Sequence, residues 1–269
     1  MRSRVTAALV AAAVVQCVAL AVVARGQEGA GITLERRVLP RASEVGVGDR
    51  VATIVRFDLR RYRLTILTAS DGPARTLRAW VRDFHLAGGI NAGMFLPSGR
   101  PVGFVQLAGR VLSARRAGNH RGLLAFDPLG GDTPVAVGGH ECGTLEGLSQ
   151  RYGSLLQGRE LLVDCHGRAV DWRTRRYSAA ALGTDDAGRA VLVHVRTPYR
   201  MQQLARMLAG LDLGLRGLVY MEGGPEASIV VHAEGQHAEE MGSWEDGFHE
   251  ADDLHEQWDL PNVVGLAPR

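Results

Sequence analysis

The stretch LVYMEGGPEASIVV, residues 218–231, constrains the fold more than any other part of the chain. Leu218, Val219, Tyr220 and Met221 are apolar without a break. An element that faces solvent on one side mixes polar and apolar positions, so an unbroken run of strand length predicts a strand buried on both faces. Such a strand needs cover above and below, which calls for stacked layers of sheet and helix. The run stops at Glu222-Gly223-Gly224-Pro225, and Glu226, Ala227 and Ser228 lead into a second apolar run at 229–231. A buried strand that ends on Glu-Gly-Gly brings a carboxylate to the margin of a sheet and lets a ligand or another backbone approach the glycines. A turn with solvated acids is the plainer alternative.

The rest of the chain supplies those layers. Residues 51–69 alternate apolar and polar side chains and predict two strands around Asp58-Leu59. Leu77, Trp80, Val81 and Phe84 recur at helical spacing in 76–84, as do Met201, Leu204, Leu208 and Leu211 in 199–213. Further strands are predicted at 102–107, 122–126, 160–164 and 190–195. The expectation is a single α/β domain of the α+β kind over residues 49–233, with a mixed β-sheet core and a few packed helices. Residues 25–48 lack periodicity and read as a linker. Residues 234–269 form an acidic C-terminal segment, part of the domain or appended to it. Between Glu234 and Asp259 stand ten Asp or Glu and no Arg. Within it, 248–258 predicts a short acidic helix on a solvated face; divalent cation binding is the alternative.

Arg2 and Arg4 precede an apolar run over residues 5–23 that ends in small residues, the pattern of a secretory signal. The run is also close to the length that spans a bilayer, so an uncleaved anchor is the alternative, and the one route to a membrane. Cleavage after Ala24 would remove two arginines and leave 29 basic against 29 acidic residues. A chain with no net charge does not look like a nucleic-acid binder, whose affinity rests on basic clusters. All 31 basic residues are Arg, a bias that says more about base composition than about any ligand. Export to a periplasmic or extracellular space makes Cys142 and Cys165 a disulfide. A Cys/His metal site with His140 and His166 is the rival, but its spacings match no usual zinc pattern.

Three segments carry candidate chemistry. In GGINAGMFLPSGRPVGFV, residues 88–105, a short strand delivers Asn91 to a turn that Gly93 makes possible. In RTRRYSAAALGTDDAG, residues 173–188, a run of small residues from Ser178 to Ala181 follows Arg175 and Arg176, which can hold an anion by paired hydrogen bonds. The third is the stretch at 218–231.

In order and rough spacing, INAGMF, RPVG, SAAALGTDDAG and YMEGGPEAS resemble the phosphodiester glycosidase domain family over residues 50–232. Three departures stand out. The family's Asp-Gly-Gly reads Glu222-Gly223-Gly224 here, its upstream Arg falls at Ala179, and its QSGP is reduced to Gln157-Gly158-Arg159. The resemblance implies hydrolysis of a sugar-1-phosphodiester or related glycosidic bond, through an oxocarbenium-like transition state and with no required cofactor. Glu222 is then the expected carboxylate, with Glu226 second. Asn91 would bind sugar hydroxyls or phosphate and Arg176 would hold the phosphate. Gly93, Gly223, Gly224 and Ser228 would line the substrate site. A catalytically degenerate glycan-binding or envelope-assembly protein of the same fold is the alternative. No Gly-x-Ser-x-Gly, Walker A, dinucleotide fingerprint or His-Glu-x-x-His occurs in the chain.

Overall fold

The structure is a computed structural model, and it describes residues 30–69, 71–172 and 174–269. The secretory or anchoring segment expected at 1–24 lies outside the described residues. In chain order the elements begin with β1 (Ile32–Val38), β2 (Val51–Phe57), β3 (Tyr62–Leu67), α1 (Leu77–Asp83) and β4 (Gly88–Asn91). Then come β5 (Val105–Leu107), β6 (Arg110–Ser113), β7 (Gly122–Pro128), β8 (Val135–Gly138), α2 (Leu145–Arg151), β9 (Tyr152–Gly158) and β10 (Glu160–Val163). The long hairpin β11 (Arg176–Asp185) and β12 (Ala190–Arg200) leads into α3 (Met201–Gly210) and β13 (Leu215–Gly223). A single 3₁₀ turn at Gly224–Glu226 precedes β14 (Ser228–Ala233), β15 (Gln236–Met241) and β16 (Val263–Pro268).

These strands form three sheets. One runs β1-β2-β12-β11-β13-β10, the second β15-β14-β4-β16-β3 and the third β6-β5-β9-β7-β8. Neighbouring strands pair antiparallel throughout. The result is the expected α+β domain, rich in strand and short in helix.

Alternation along the central strands explains the layering. Val219 and Met221 of β13, Ala180 and Leu182 of β11, and Val55 and Phe57 of β2 enter one core, which they share with Ile90, Phe126, Leu156 and Ile229 of the two smaller sheets. Leu218 and Tyr220, Ala179 and Ala181, and Ala52 and Ile54 point the other way and pack on Met201, Leu204, Ala205 and Leu208 of α3. The unbroken apolar run of β13 thus has sheet on one side and helix on the other. α1 covers the outer face of the second sheet with Leu77, Trp80 and Val81, and Leu148 of α2 enters a smaller cluster on the third sheet. Both short helices start on a threonine, Thr76 and Thr144, whose hydroxyl accepts an orphan backbone N–H at 3.2 and 3.1 Å.

Two sequence expectations change. The segment read as a linker contains β1, whose seven residues pair in register with β2 at the edge of the large sheet. Glu35, Arg36 and Arg37 give β1 the polar composition of an edge strand, and that composition masked its pairing. The acidic helix expected at 248–258 is irregular backbone. Arg196 takes the helix's place there: its guanidinium donates to the carbonyls of Met241, Asp252 and Leu254 and to the Asp252 carboxylate. The rest of the acidic segment belongs to the domain, since β15 and β16 complete the second sheet. The two strands predicted around Asp58 are β2 and β3, but they enter different sheets and form no hairpin.

Candidate active site

The end of β13 departs from regular pairing. Tyr220 lies opposite Ala181 while Glu222 lies opposite Ala180, so Met221 is an extra residue bulged out of the ladder. A bulge re-aims the side chain beside it, and the one affected here is Glu222. Gly223 then pairs with Ala179. A side chain at Gly223 would collide with the Tyr220 hydroxyl and stand 2.7 Å from the Ser178 carbonyl. Gly224 takes φ +70, a conformation that only glycine adopts without strain. The space expected for a ligand above both glycines therefore belongs to the protein's own groups. A Cβ at Gly224 would sit 2.8 Å from Oε2 of Glu245 and 3.5 Å from Oε2 of Glu226.

Those contacts define the site: Glu222, Glu226 and Glu245 gather around one turn. All three are half-buried, with protein on most sides and a remnant of accessible surface. Burial penalises their ionised forms. The Glu222 carboxyl is pushed up to about 8, first by desolvation and next by the neighbouring Glu226 and Glu245. Glu226 is pushed up to about 7, again by desolvation and by Glu245, against a lowering backbone hydrogen bond. Glu245 is raised by burial, partly offset by Arg159 and Arg175. At neutral pH Glu222 is mainly protonated and the cluster holds less negative charge than its composition suggests.

Aromatic rings pack together beside the cluster. Trp172 meets Tyr220 edge-on at 5.1 Å, and Tyr177 lies 6.4 Å from the same ring. Arg159 sits over the Trp172 ring at 5.5 Å, a cation–π contact. Its field lowers the pKa of both Glu222 and Glu245. No carboxylate among the described residues forms an ion pair with it.

The two turns read from the sequence do meet. Asn91 Oδ1 accepts a hydrogen bond from the Ser228 backbone N–H at 3.2 Å, across 137 residues of chain. Gly93, at φ +73, brings its turn so close that a Cβ would stand 3.3 Å from the Met221 carbonyl. Asn91 and Ser228 are almost wholly buried, so their visible work is to hold β4 against β14 beside the cluster. Among the described residues, Asn91 Nδ2, Ser228 Oγ and the Tyr220 hydroxyl have no hydrogen-bond partner.

Arg176 departs from its expected role. Asp246 holds its guanidinium at 3.0 Å and Glu44 at 2.9 Å, so its charge is neutralised before any phosphate arrives. Arg175 is the more available neighbour: it is exposed, among the described residues it donates only to the Asp246 carbonyl at 3.1 Å, and its charge reaches Glu245. Sequence reasoning missed Glu245 and Arg159. Arg159 stood in the quoted Gln157-Gly158-Arg159, directly before β10, and was the one legible signal. Glu245 was hidden among ten acids. Cys142 and Cys165 form the expected disulfide.

Solved structures share the fold of this chain. The chain resembles the zebrafish N-acetylglucosamine-1-phosphodiester alpha-N-acetylglucosaminidase catalytic domain, auto-inhibited by its pro-peptide, at 14% identity and a TM-score of 0.63 over 91% of this chain and 86% of that one. A hypothetical protein from Synechocystis aligns at 15% identity and a TM-score of 0.62 over 89% of this chain, which spans 62% of that protein's length. A putative exported protein from Burkholderia pseudomallei aligns at 14% identity and a TM-score of 0.53, covering 81% of this chain and 74% of that one. These likenesses establish the fold. No curated protein matches the sequence. The sequence model of the phosphodiester glycosidase family matches residues 85–267, a span that takes in Asn91, Arg159, Glu222, Glu226 and Glu245. The chain belongs to the phosphodiester glycosidase family.

Proposed function

We propose that this protein is an exported hydrolase that cleaves a sugar-1-phosphodiester, with Glu222 and Glu226 as its acid and base. The observation that carries the reading is the convergence of three carboxyls, two of them with pKa values near neutrality, at the end of a buried strand. A phosphodiester is an anion, and three ionised glutamates would repel it. Protons held by the cluster remove that repulsion, and Arg159 and Arg175 supply the attraction.

In this scheme Glu222, which holds its proton more tightly, gives it to the phosphate oxygen as the bond from that oxygen to the anomeric carbon breaks. Glu226 ionises at lower pH and directs a water onto the anomeric carbon, taking the proton that water loses. The products are a free sugar and a phosphomonoester. Trp172 offers a face on which a sugar ring can stack. Glu226, named second from the sequence, takes the part of the base in this reading, because Glu222 is the more strongly desolvated of the two. A resident metal has no part in this scheme. The disulfide fits an oxidising periplasmic or extracellular space, and no helix among the described residues is long and apolar enough to cross a membrane.

The test is release of reducing sugar from a panel of sugar-1-phosphodiesters. N-acetylglucosamine-1-phosphodiesters come first, because the zebrafish relative is named for them. Turnover should follow a bell, rising as pH passes about 7, where Glu226 ionises to act as base, and falling as pH passes about 8, where Glu222 loses the proton it must donate. One observation favours a non-catalytic, glycan-binding role: Ala179 is buried beside Gly223 where the family pattern carries Arg. Tight binding of the panel without sugar release would establish that role and reject the hydrolase.

A further inference from the structure

We propose that the outer face of the β14–β15 hairpin is a transition-metal site, built from His232, His237 and Glu239 and fitted to Zn²⁺. Backbone register places the three donors together. His232 lies directly opposite His237 in the antiparallel pair, and Val230 lies opposite Glu239. Directly opposed residues hold their Cβ atoms about 5 Å apart, and residues two apart on a strand share a face. The cross-strand histidines and Glu239 therefore project on the same side, and one ligand atom from each lies within 4.8 Å of the others.

The side chains are arranged as two ligands and a third. The imidazoles lie parallel at 4.4 Å between centroids and 7° between planes. His232 Nε2 is 3.0 Å from Glu239 Oε1. Both histidines are exposed, so no packing demand accounts for stacking them, and their χ angles can turn the ring nitrogens toward one ion. Arg78 of α1 donates through Nε to the other carboxylate oxygen, Glu239 Oε2, at 2.8 Å. That bond orients the carboxylate and leaves Oε1 for the metal, the role outer-shell partners play around bound ions.

The donor set decides the ion. Two imidazole nitrogens and one carboxylate oxygen suit Zn²⁺, whose bonds to such atoms run about 2.0–2.2 Å, with water in the fourth position. Ca²⁺ and Mg²⁺ prefer all-oxygen shells and find one carboxylate here. The site is separate from the glutamate cluster. Ser228 begins β14 beside that cluster, and His232 lies four residues further, about 13 Å along a strand that rises about 3.3 Å per residue. The other Cys/His grouping, Cys142, Cys165 and His166, has its sulfurs locked in the disulfide. A zinc ion on the hairpin would clip β14 to β15 from outside, next to the strand that carries the Asn91–Ser228 hydrogen bond.

The experiment is calorimetric titration of the chelator-treated full chain with ZnCl₂, CaCl₂ and MgCl₂, with a thermal melt under each condition. One Zn²⁺ per chain should bind in the micromolar range and raise the melting temperature by several degrees, with no response to Ca²⁺ or Mg²⁺. His232→Ala and His237→Ala should each weaken zinc binding at least about tenfold, since even outer-shell losses cost that much. Both positions are exposed, so the metal-free melts of the variants should match the parent and separate loss of the site from loss of the fold. Zinc binding that survives in the His232→Ala/His237→Ala double variant, or the absence of one-to-one binding, would overturn the proposal.

Discussion

Replacing Glu222 with Gln should make the protein more stable at alkaline pH and no more stable at acid pH. The sign follows from proton binding. The Glu222 pKa is 4.5 in an unfolded chain and about 8 in the fold, so the native state holds a proton that the unfolded state releases across that window. Stability from this group is complete below pH 4.5 and is lost as pH rises through about 8. At about 1.4 kcal/mol per pKa unit the full swing would be roughly 5 kcal/mol, and coupling to Glu226 with local relaxation should halve it to about 2–3 kcal/mol. Gln has the shape of the protonated acid and no proton to lose. At pH 8.5 the variant should therefore melt about 5–10 °C above the parent, at roughly 2–4 °C per kcal/mol for a domain of this size. At pH 4.5 the two should coincide. Thermal melts followed by circular dichroism at pH 4.5, 6, 7 and 8.5 read this directly, because titrating groups not coupled to Glu222 cancel in the difference. The same variant should lose at least about a hundredfold in sugar release. A difference in melting temperature that does not change with pH would show that Glu222 is not held protonated, and the acid role would fall with it.

Four further variants test other parts of the molecule. Gly224→Ala forces a side chain into φ +70 and against Glu245, so it should cost about 1–3 kcal/mol and abolish turnover; a stable, active variant would show that the turn relaxes freely. Arg159→Ala should raise KM for an anionic substrate about tenfold or more and move the alkaline limb of the pH profile upward, since Arg159 lowers the Glu222 pKa; Arg176→Ala should leave KM unchanged and cost at most about 1 kcal/mol in chemical denaturation. Cys142→Ser should lose roughly 3 kcal/mol, the chain-entropy value for a closed loop of this length, with the drop read as a lower urea midpoint.

What the sequence disclosed follows the physics of each element. β13 and the faces of α1 and α3 were legible because their apolar residues are buried by the fold and so carry its period. β1 was not, because an edge strand is half solvated and carries charge to discourage further pairing. The meeting of Asn91 with the 222–228 turn was legible as two polar turns at strand ends. The roles of the arginines were not. Arg175 and Arg176 are adjacent in sequence, and what separates them is Asp246 and Glu44, which lie 70 and 132 residues away and consume one charge of the two. Local pattern carries no trace of such pairing. The glycines were read as room for a ligand, yet at Gly223 the room is filled by Tyr220 and Ser178, contacts that only the assembled sheets create.

The same burial that makes β13 a core strand is what sets the chemistry at its end. Val219 and Met221 on one face, and Leu218 and Tyr220 on the other, are fully enclosed, so the next residue emerges where water is scarce. A carboxylate at that point pays for desolvation in its pKa, and two more glutamates nearby raise it further. A chain selected for stability alone would place Gln, Leu or Ser at one of these three positions, since each buried acid destabilises the fold as it ionises. Their meeting at one turn, with Arg159 near enough to ease but not to cancel the repulsion, stores protons at the expense of stability, as the proposed function requires. The strand's apolar run and the acid's raised pKa are therefore one fact seen twice. A substitution that loosened the core around Met221 should lower the Glu222 pKa even though it touches no charge.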